Sequence, residues 1–124
     1  MNYTSIEQSK KLLELGLRPE TADMYWRESY SENLGLRYYP TVIWRGYQYN
    51  EKHGDIPCWS TGALIDLLPE EIKYRDEWCS LELDKDWISY ESCRIQPVVS
   101  EKTPMIVMLC KVIGWLLENN YLNK

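Results

Sequence analysis

The residues best suited to chemistry in this chain are one histidine, one cysteine and the carboxylate between them. His53 is the only histidine, and Asp55 and Cys58 follow it closely. Imidazole, thiolate and carboxylate are zinc ligands, and a cysteine beside a histidine can act as a nucleophile. Structural zinc sites use paired ligands at short spacing, however, and nothing nearby would orient His53. The pattern therefore favours a solvated loop histidine and a cysteine packed near Trp59, with no metal, cofactor or catalytic residue assigned.

A second group with catalytic potential is the run of carboxylates from Asp66 to Glu91, where nine acidic residues accompany three basic ones. A general acid–base pair needs one carboxylate withdrawn from water. Most of these carboxylates fall in predicted turns or on the exposed side of a predicted hairpin, which favours a solvated acidic surface. The chain also lacks GxSxG, HExxH and phosphate-binding glycine patterns. We therefore expect a protein that is not an enzyme; a deep pocket lined by His53, Cys58 and two carboxylates would reverse that expectation.

Aromatic residues give the chain its most unusual composition, with ten Tyr, six Trp and no Phe. Such side chains, together with Arg, are enriched where proteins bind one another, and they also form platforms on which nucleic-acid bases stack. The alternative is a twisted sheet whose tyrosine hydroxyls point to water. The candidate partner-binding residues are Tyr38, Tyr39, Trp44, Arg45, Tyr47 and Tyr49, together with Trp78 and Trp87 of the acidic stretch.

The net charge of −5 limits the classes of partner. Duplex DNA and anionic membranes both select for clustered Lys and Arg, so neither is expected here. The acidic stretch suits a basic partner or serves solubility. We expect the partner to be another protein, and we keep single-stranded nucleic acid as the alternative.

The spacing of the cysteines and the N-terminal residues indicate the cellular compartment of the protein. The four cysteines form no CxxC pair, and the chain begins without a basic start followed by an apolar run. Together these features predict reduced thiols and a cytoplasmic location.

The element that must hold any site in place is the apolar segment near the end of the chain. Between Met105 and Leu117 only Lys111 and Gly114 are not apolar. This run is shorter than the roughly 20 residues that span a bilayer, so it predicts a buried helix over Pro104–Asn119. Its polar stripe should be Pro104, Lys111 and Glu118.

Two more helices are predicted from their end signals. Thr4 and Glu7 have capping-box spacing, which predicts a helix over Ser5–Leu15 that ends at Gly16. Ser60 is a good N-cap for a helix over Thr61–Leu68, since Pro69 then ends it.

The strands predicted are Thr41–Tyr49, Trp78–Leu83 and Trp87–Ser92. The last two should form a hairpin in which Leu83 lies opposite Ile88 and Leu81 lies opposite Tyr90, with one side of the sheet apolar.

These elements predict a single α+β domain over residues 1–124. A small, mostly antiparallel sheet would be covered by about three helices, and the C-terminal helix would be the most buried. The predicted core consists of Leu12, Leu13, Ile43, Leu64, Leu68, Leu81, Ile88, Ile106, Leu109, Ile113 and Leu116.

Three stretches resemble a family of small uncharacterised proteins of gut bacteria and their phages or other mobile elements. The stretches are EQSKKLLELGL (7–17) with PETADM (19–24), IPCWS (56–60) with GAL (62–64), and WLLEN (115–119). The family carries no assigned activity, so the resemblance implies no catalytic residue or cofactor. The absence of a catalytic constellation, the excess of Tyr and Trp and the localised negative charge favour an accessory, immunity-like or host-modulating factor of a mobile element. Our expectation is therefore a non-enzymatic, acidic, cytoplasmic protein-binding module.

Overall fold

The chain folds as three helices and two three-stranded antiparallel sheets over the residues that the structure describes, which is an α+β fold. The computed structural model describes residues 2–33, 35–42, 54–84, 87–90 and 104–122, without the side chains of 29–31 and 87. In chain order, its elements are α1 (Ile6–Glu14), a 3-10 turn (Pro19–Thr21), β1 (Met24–Ser31), β2 (Gly35–Val42), β3 (Ile56–Cys58), α2 (Thr61–Leu67), β4 (Glu71–Tyr74), β5 (Glu77–Asp84), β6 (Trp87–Tyr90) and α3 (Met105–Glu118).

Helix α3 is the centre of the core, as the sequence predicts. Its exposed residues are Lys111 and Glu118, and Pro104 is exposed just before it, so the predicted polar stripe is confirmed. The helix ends before Asn120, which adopts a φ of 62°. Asparagine tolerates this left-handed conformation better than most residues. The buried residues of α3 are Ile106, Met108, Leu109, Val112, Ile113, Gly114, Leu116 and Leu117.

Helix α1 starts with a capping box, but one residue later than the sequence predicts. Ser5 Oγ accepts the backbone N–H of Gln8 at 3.1 Å, and Gln8 Oε1 accepts the N–H of Ser5 at 2.8 Å. Thr4 does not serve as the cap because its hydroxyl is buried and accepts the backbone N–H of Trp59 at 3.0 Å. The predicted end is confirmed, since Gly16 has a φ of 105°.

The first sheet has the strand order β2-β1-β3. The residues before α1 fasten this sheet to α2, because Tyr3 forms a bridge with Ser60 and the Thr4 N–H donates to the carbonyl of Trp59 at 2.9 Å. Ser60 then caps α2 by accepting the Ala63 N–H at 3.1 Å. Trp59 is fully buried at this junction.

The second sheet has the order β4-β5-β6 and packs its apolar side on α3. The predicted hairpin register is confirmed, since Leu83 pairs with Ile88 and Leu81 pairs with Tyr90. The Tyr90 hydroxyl donates to the carbonyl of Pro69 at 2.8 Å, and burial raises the pKa of this phenol.

The predicted strands cover only part of the sheet content. The predicted strand Thr41–Tyr49 overlaps the end of β2 at Thr41 and Val42, and its remaining positions lie outside the described residues. Strands β1, β3 and β4 and most of β2 were not predicted, and they divide the sheet structure into two sheets instead of one.

Most of the predicted core is confirmed. Leu13 and Leu81 are only partly buried and pack on its edge, while Ile43 lies outside the described residues. The predicted residues found buried are Leu12, Leu64, Leu68, Ile88, Ile106, Leu109, Ile113 and Leu116.

The expectation of reduced thiols is wrong for Cys79 among the described cysteines. Cys79 is disulfide-bonded, whereas Cys58 and Cys110 are free. Spacing alone cannot reveal such a bond, because the two sulfur atoms come together only in the folded chain. Among the helices that the structure describes, none is long and apolar enough to cross a membrane.

Candidate interaction surfaces

Strands β1 and β2 form a hairpin, here called the arm, whose outer half carries little cover. Strand β3 pairs only with Met24, Tyr25 and Trp26 of β1, so within the described residues the remainder of β1 pairs with β2 alone. Six large apolar side chains are exposed in the described part of the chain, and four of them lie on β2. These four are Leu36, Tyr38, Tyr39 and Val42, which are 51%, 37%, 50% and 65% exposed.

The two sides of the arm differ in chemistry, because successive side chains of a strand point to opposite sides. One side, the apolar face, carries Leu36, Tyr38 and Val42. Glu28, paired directly with Tyr38, contributes a charge to this side. This face can bury aliphatic and aromatic surface.

The other side of the arm, the basic face, carries Arg27, Arg37 and Tyr39. Arg27 pairs directly with Tyr39, and Arg37 lies two positions before Tyr39 on the same strand. The guanidinium of Arg27 lies 5.1 Å from the ring centroid of Tyr25, and its Nε lies 3.9 Å from the buried carboxylate of Asp55. These contacts hold Arg27 in place beside the half-exposed ring of Tyr39.

Pro40 determines how the outer edge of β2 can be used. It lies inside β2, opposite Trp26, although proline has no N–H to give to a sheet. Sheets accept such a residue where its nitrogen faces away from the partner strand. We infer that the backbone nitrogen of Pro40 faces the outer edge of β2, so this edge has one N–H donor fewer. The arm is therefore suited to contacts through its side chains more than through its edge.

A second exposed surface lies on the outer side of the β4–β6 sheet and is here called the Trp78 face. Its centre is Trp78, which is 65% exposed and pairs directly with Lys73. Glu71 and Glu82 lie on the same side, and the Ser89 hydroxyl donates to Glu82 Oε2 at 3.4 Å. This surface combines a large ring with carboxylates.

The structure separates the predicted partner-binding residues. Tyr38 and Tyr39 lie on opposite faces of the arm, and Trp78 lies on the other sheet. Trp87 pairs with Asp84 at the start of β6, but its side chain is not described. The other predicted residues, Trp44, Arg45, Tyr47 and Tyr49, lie outside the described residues.

Sequence reasoning missed four residues of these surfaces. Leu36 and Val42 were not predicted, although the β-prone run GLRYYPTV (35–42) was a usable signal. Arg27 and Arg37 were missed because only the pairing of β1 with β2 brings them to one face.

An open groove of about 610 Å³ separates α1 from α3. Its walls include Leu15, Val107 and Trp115, and its rim carries charges of both signs, Lys11 and Glu118 among them. The helices approach closely, since a Cβ at position 114 would lie 3.2 Å from a methyl carbon of Leu15. The mixed rim gives this groove no preference for a charged ligand.

The buried thiol near α1 belongs to the interior and not to a reactive site. Cys58 is fully buried, and its S–H donates to the carbonyl of Thr4 at 3.3 Å. Burial raises the pKa of this thiol to about 11, so it is neutral at physiological pH. A neutral, enclosed thiol is neither a nucleophile nor a metal ligand. His53 lies outside the described residues, within which no group of three metal-binding side chains occurs.

Comparison with protein-family models, curated proteins and solved structures finds no match to this chain.

Proposed function

We propose that this chain is a non-enzymatic protein-binding module whose partner docks on the apolar face of the arm. The observation that supports this is the exposure of Leu36, Tyr38 and Val42 side by side on one strand. Leaving such side chains in water is unfavourable, and burying apolar area contributes about 25 cal/mol per Å². A partner of complementary apolar shape would gain that energy.

The resemblance to proteins of phages and mobile elements is the basis for the finer part of the proposal, an accessory or immunity-like role. Cytoplasmic localisation belongs to the same proposal. The Cys79 disulfide opposes it, because such bonds are rare in a reducing compartment.

Site-specific photo-crosslinking tests the proposal. Benzoylphenylalanine in place of Tyr38, introduced in the producing cells, should give one dominant protein adduct on irradiation. The same probe in place of Lys10, an exposed residue of α1, is the control and should give none of it. The adduct should disappear when Leu36→Ser and Val42→Ser are added, and the purified partner should bind this variant at least about tenfold more weakly. An adduct that survives both substitutions, or no adduct at all, contradicts the proposal.

Single-stranded nucleic acid is a second candidate, and the basic face is the observation that favours it. Two arginines flank the half-exposed ring of Tyr39, which is the combination on which bases stack. Salt-sensitive binding of a labelled single-stranded oligonucleotide, weakened by Arg37→Glu, would support it.

A further inference from the structure

The net negative charge of the chain is concentrated in one stretch of the sequence. Residues 66–84 contain seven acidic and two basic side chains, a net of −5, which equals the charge of the whole chain. All residues outside this stretch therefore sum to zero. The Trp78 face lies within the stretch, and the arm lies outside it.

The two surfaces complement each other in charge and in apolar character. The basic face presents Arg37 and Tyr39, beside Arg27, whose guanidinium also contacts the Asp55 carboxylate. The Trp78 face presents an indole with two carboxylates, Glu71 and Glu82, and one cation, Lys73. Guanidinium groups bind carboxylates through charge-assisted hydrogen bonds, and they also stack on aromatic rings. The rings at the centre of the two surfaces, Tyr39 and Trp78, are 50% and 65% exposed.

We propose that copies of this chain associate head to tail, with the basic face of one copy seated on the Trp78 face of the next. This inference rests on the proposed function in that it treats the arm as a docking element, but it uses the opposite face and names the partner. A symmetric pairing of two Trp78 faces would bring together two surfaces that each carry more carboxylates than cations. Contact between unlike surfaces avoids that repulsion and builds a ring or an open chain of copies.

Salt and concentration provide the first test. Sedimentation velocity of the purified chain should show association that increases with protein concentration at low salt. The association should weaken as the screening length falls from about 10 Å at 0.1 M salt to about 3 Å at 1 M. A wild-type chain that stays monomeric at every concentration at low salt overturns the proposal.

Charge reversal with a matched control identifies the surface. Arg37→Glu should abolish association, whereas Lys10→Glu, which changes the net charge equally on an exposed site of α1, should leave it intact. Circular dichroism and thermal melting should show that both variants are folded. Equal effects of the two substitutions would assign the association to net charge and overturn the inference.

Mixing two defective variants is the decisive experiment. Arg37→Glu removes the basic face but keeps the Trp78 face, and Trp78→Ser does the reverse. Each variant alone should be monomeric, while a mixture should form a one-to-one dimer that does not grow further. A mixture that remains monomeric, or a Trp78→Ser chain that still associates alone, rules out head-to-tail contact.

The remaining outcomes separate this inference from the function proposed above. Leu36→Ser with Val42→Ser should leave self-association unchanged, since these residues lie on the apolar face. Loss of both self-association and the Tyr38 adduct in this variant would overturn this inference alone, because loss of the adduct is the result that the proposed function predicts. Binding of a 15-nucleotide oligothymidylate by a monomer, through Arg37, would overturn it in favour of single-stranded nucleic acid.

Discussion

At the residue scale, Cys58 and Cys110 show how surroundings control a reactive side chain. Burial is the main cause in both cases and raises each pKa from 9.0 to about 11. Cys58 is fully buried, whereas Cys110 is only partly covered on the groove side of α3. The two thiols therefore share a protonation state but differ in access to solvent.

Alkylation rates should distinguish the effect of the raised pKa from the effect of solvent access. At pH 8, the rise in pKa lowers the thiolate fraction about 100-fold relative to the unfolded chain, since only the thiolate reacts. We expect iodoacetamide to modify native Cys58 at least that much more slowly, with Cys110 faster than Cys58. Peptide mapping by mass spectrometry measures both rates and should find Cys79 unmodified unless reductant is added. Native Cys58 reacting as fast as in urea would contradict the buried position.

At the element scale, the β4–β5 connection contains backbone strain. Arg75 and Asp76 have φ values of 50° and 67°, so both central residues of a two-residue turn are left-handed. A two-residue hairpin turn of this kind normally uses Asn and Gly, because most other residues pay a steric cost at a positive φ. Arg75 compensates in part by lying 5.1 Å from the ring centroid of Tyr74.

Asp76→Gly should stabilise the protein. Glycine adopts a positive φ without steric cost, so we expect the free energy of unfolding to rise by about 0.5–1 kcal/mol in urea denaturation. The matched control is Ser80→Gly on the exposed side of β5, which should lower it by a similar amount. A loss of stability from Asp76→Gly would mean that the carboxylate has a role that outweighs the strain.

Local signals explain which elements could be predicted from the sequence. Helices α1 and α2 begin with a serine cap, α1 and α3 end near a left-handed Gly16 or Asn120, Pro69 follows α2, and α3 has a long apolar run. The β5–β6 register follows from alternation with one buried side. The arm contains the β-prone run GLRYYPTV (35–42), but no alternation marks a buried side, because Tyr, Trp and Arg suit either side of a strand. Which side chains stay exposed, such as Leu36 and Val42, depends on what the rest of the fold covers. The local sequence does not contain that information.

At the scale of the whole molecule, the core and the candidate surfaces are made from separate residues. One apolar cluster joins α1, α2, α3 and the second sheet, and no residue of the arm belongs to it. Substitutions that change binding on the arm should therefore leave the fold intact.

A pair of substitutions should reveal this separation. Leu36→Ser removes an exposed arm side chain and should change the free energy of unfolding by less than about 0.5 kcal/mol. Leu109→Ala opens a cavity at a fully buried position of α3 and should cost roughly 2–5 kcal/mol. Thermal melting of both variants measures the difference. Comparable losses would place the arm within the cooperative core.

Pro40 gives the arm a protection that its composition alone would not provide. A long strand with bare tyrosines, leucine and valine is the kind of template on which identical chains stack into amyloid. Because the outer edge of β2 lacks one N–H donor at Pro40, such stacking is interrupted in the middle of the strand. We therefore expect Pro40→Val, which restores the donor, to make edge-to-edge stacking of the arm easier.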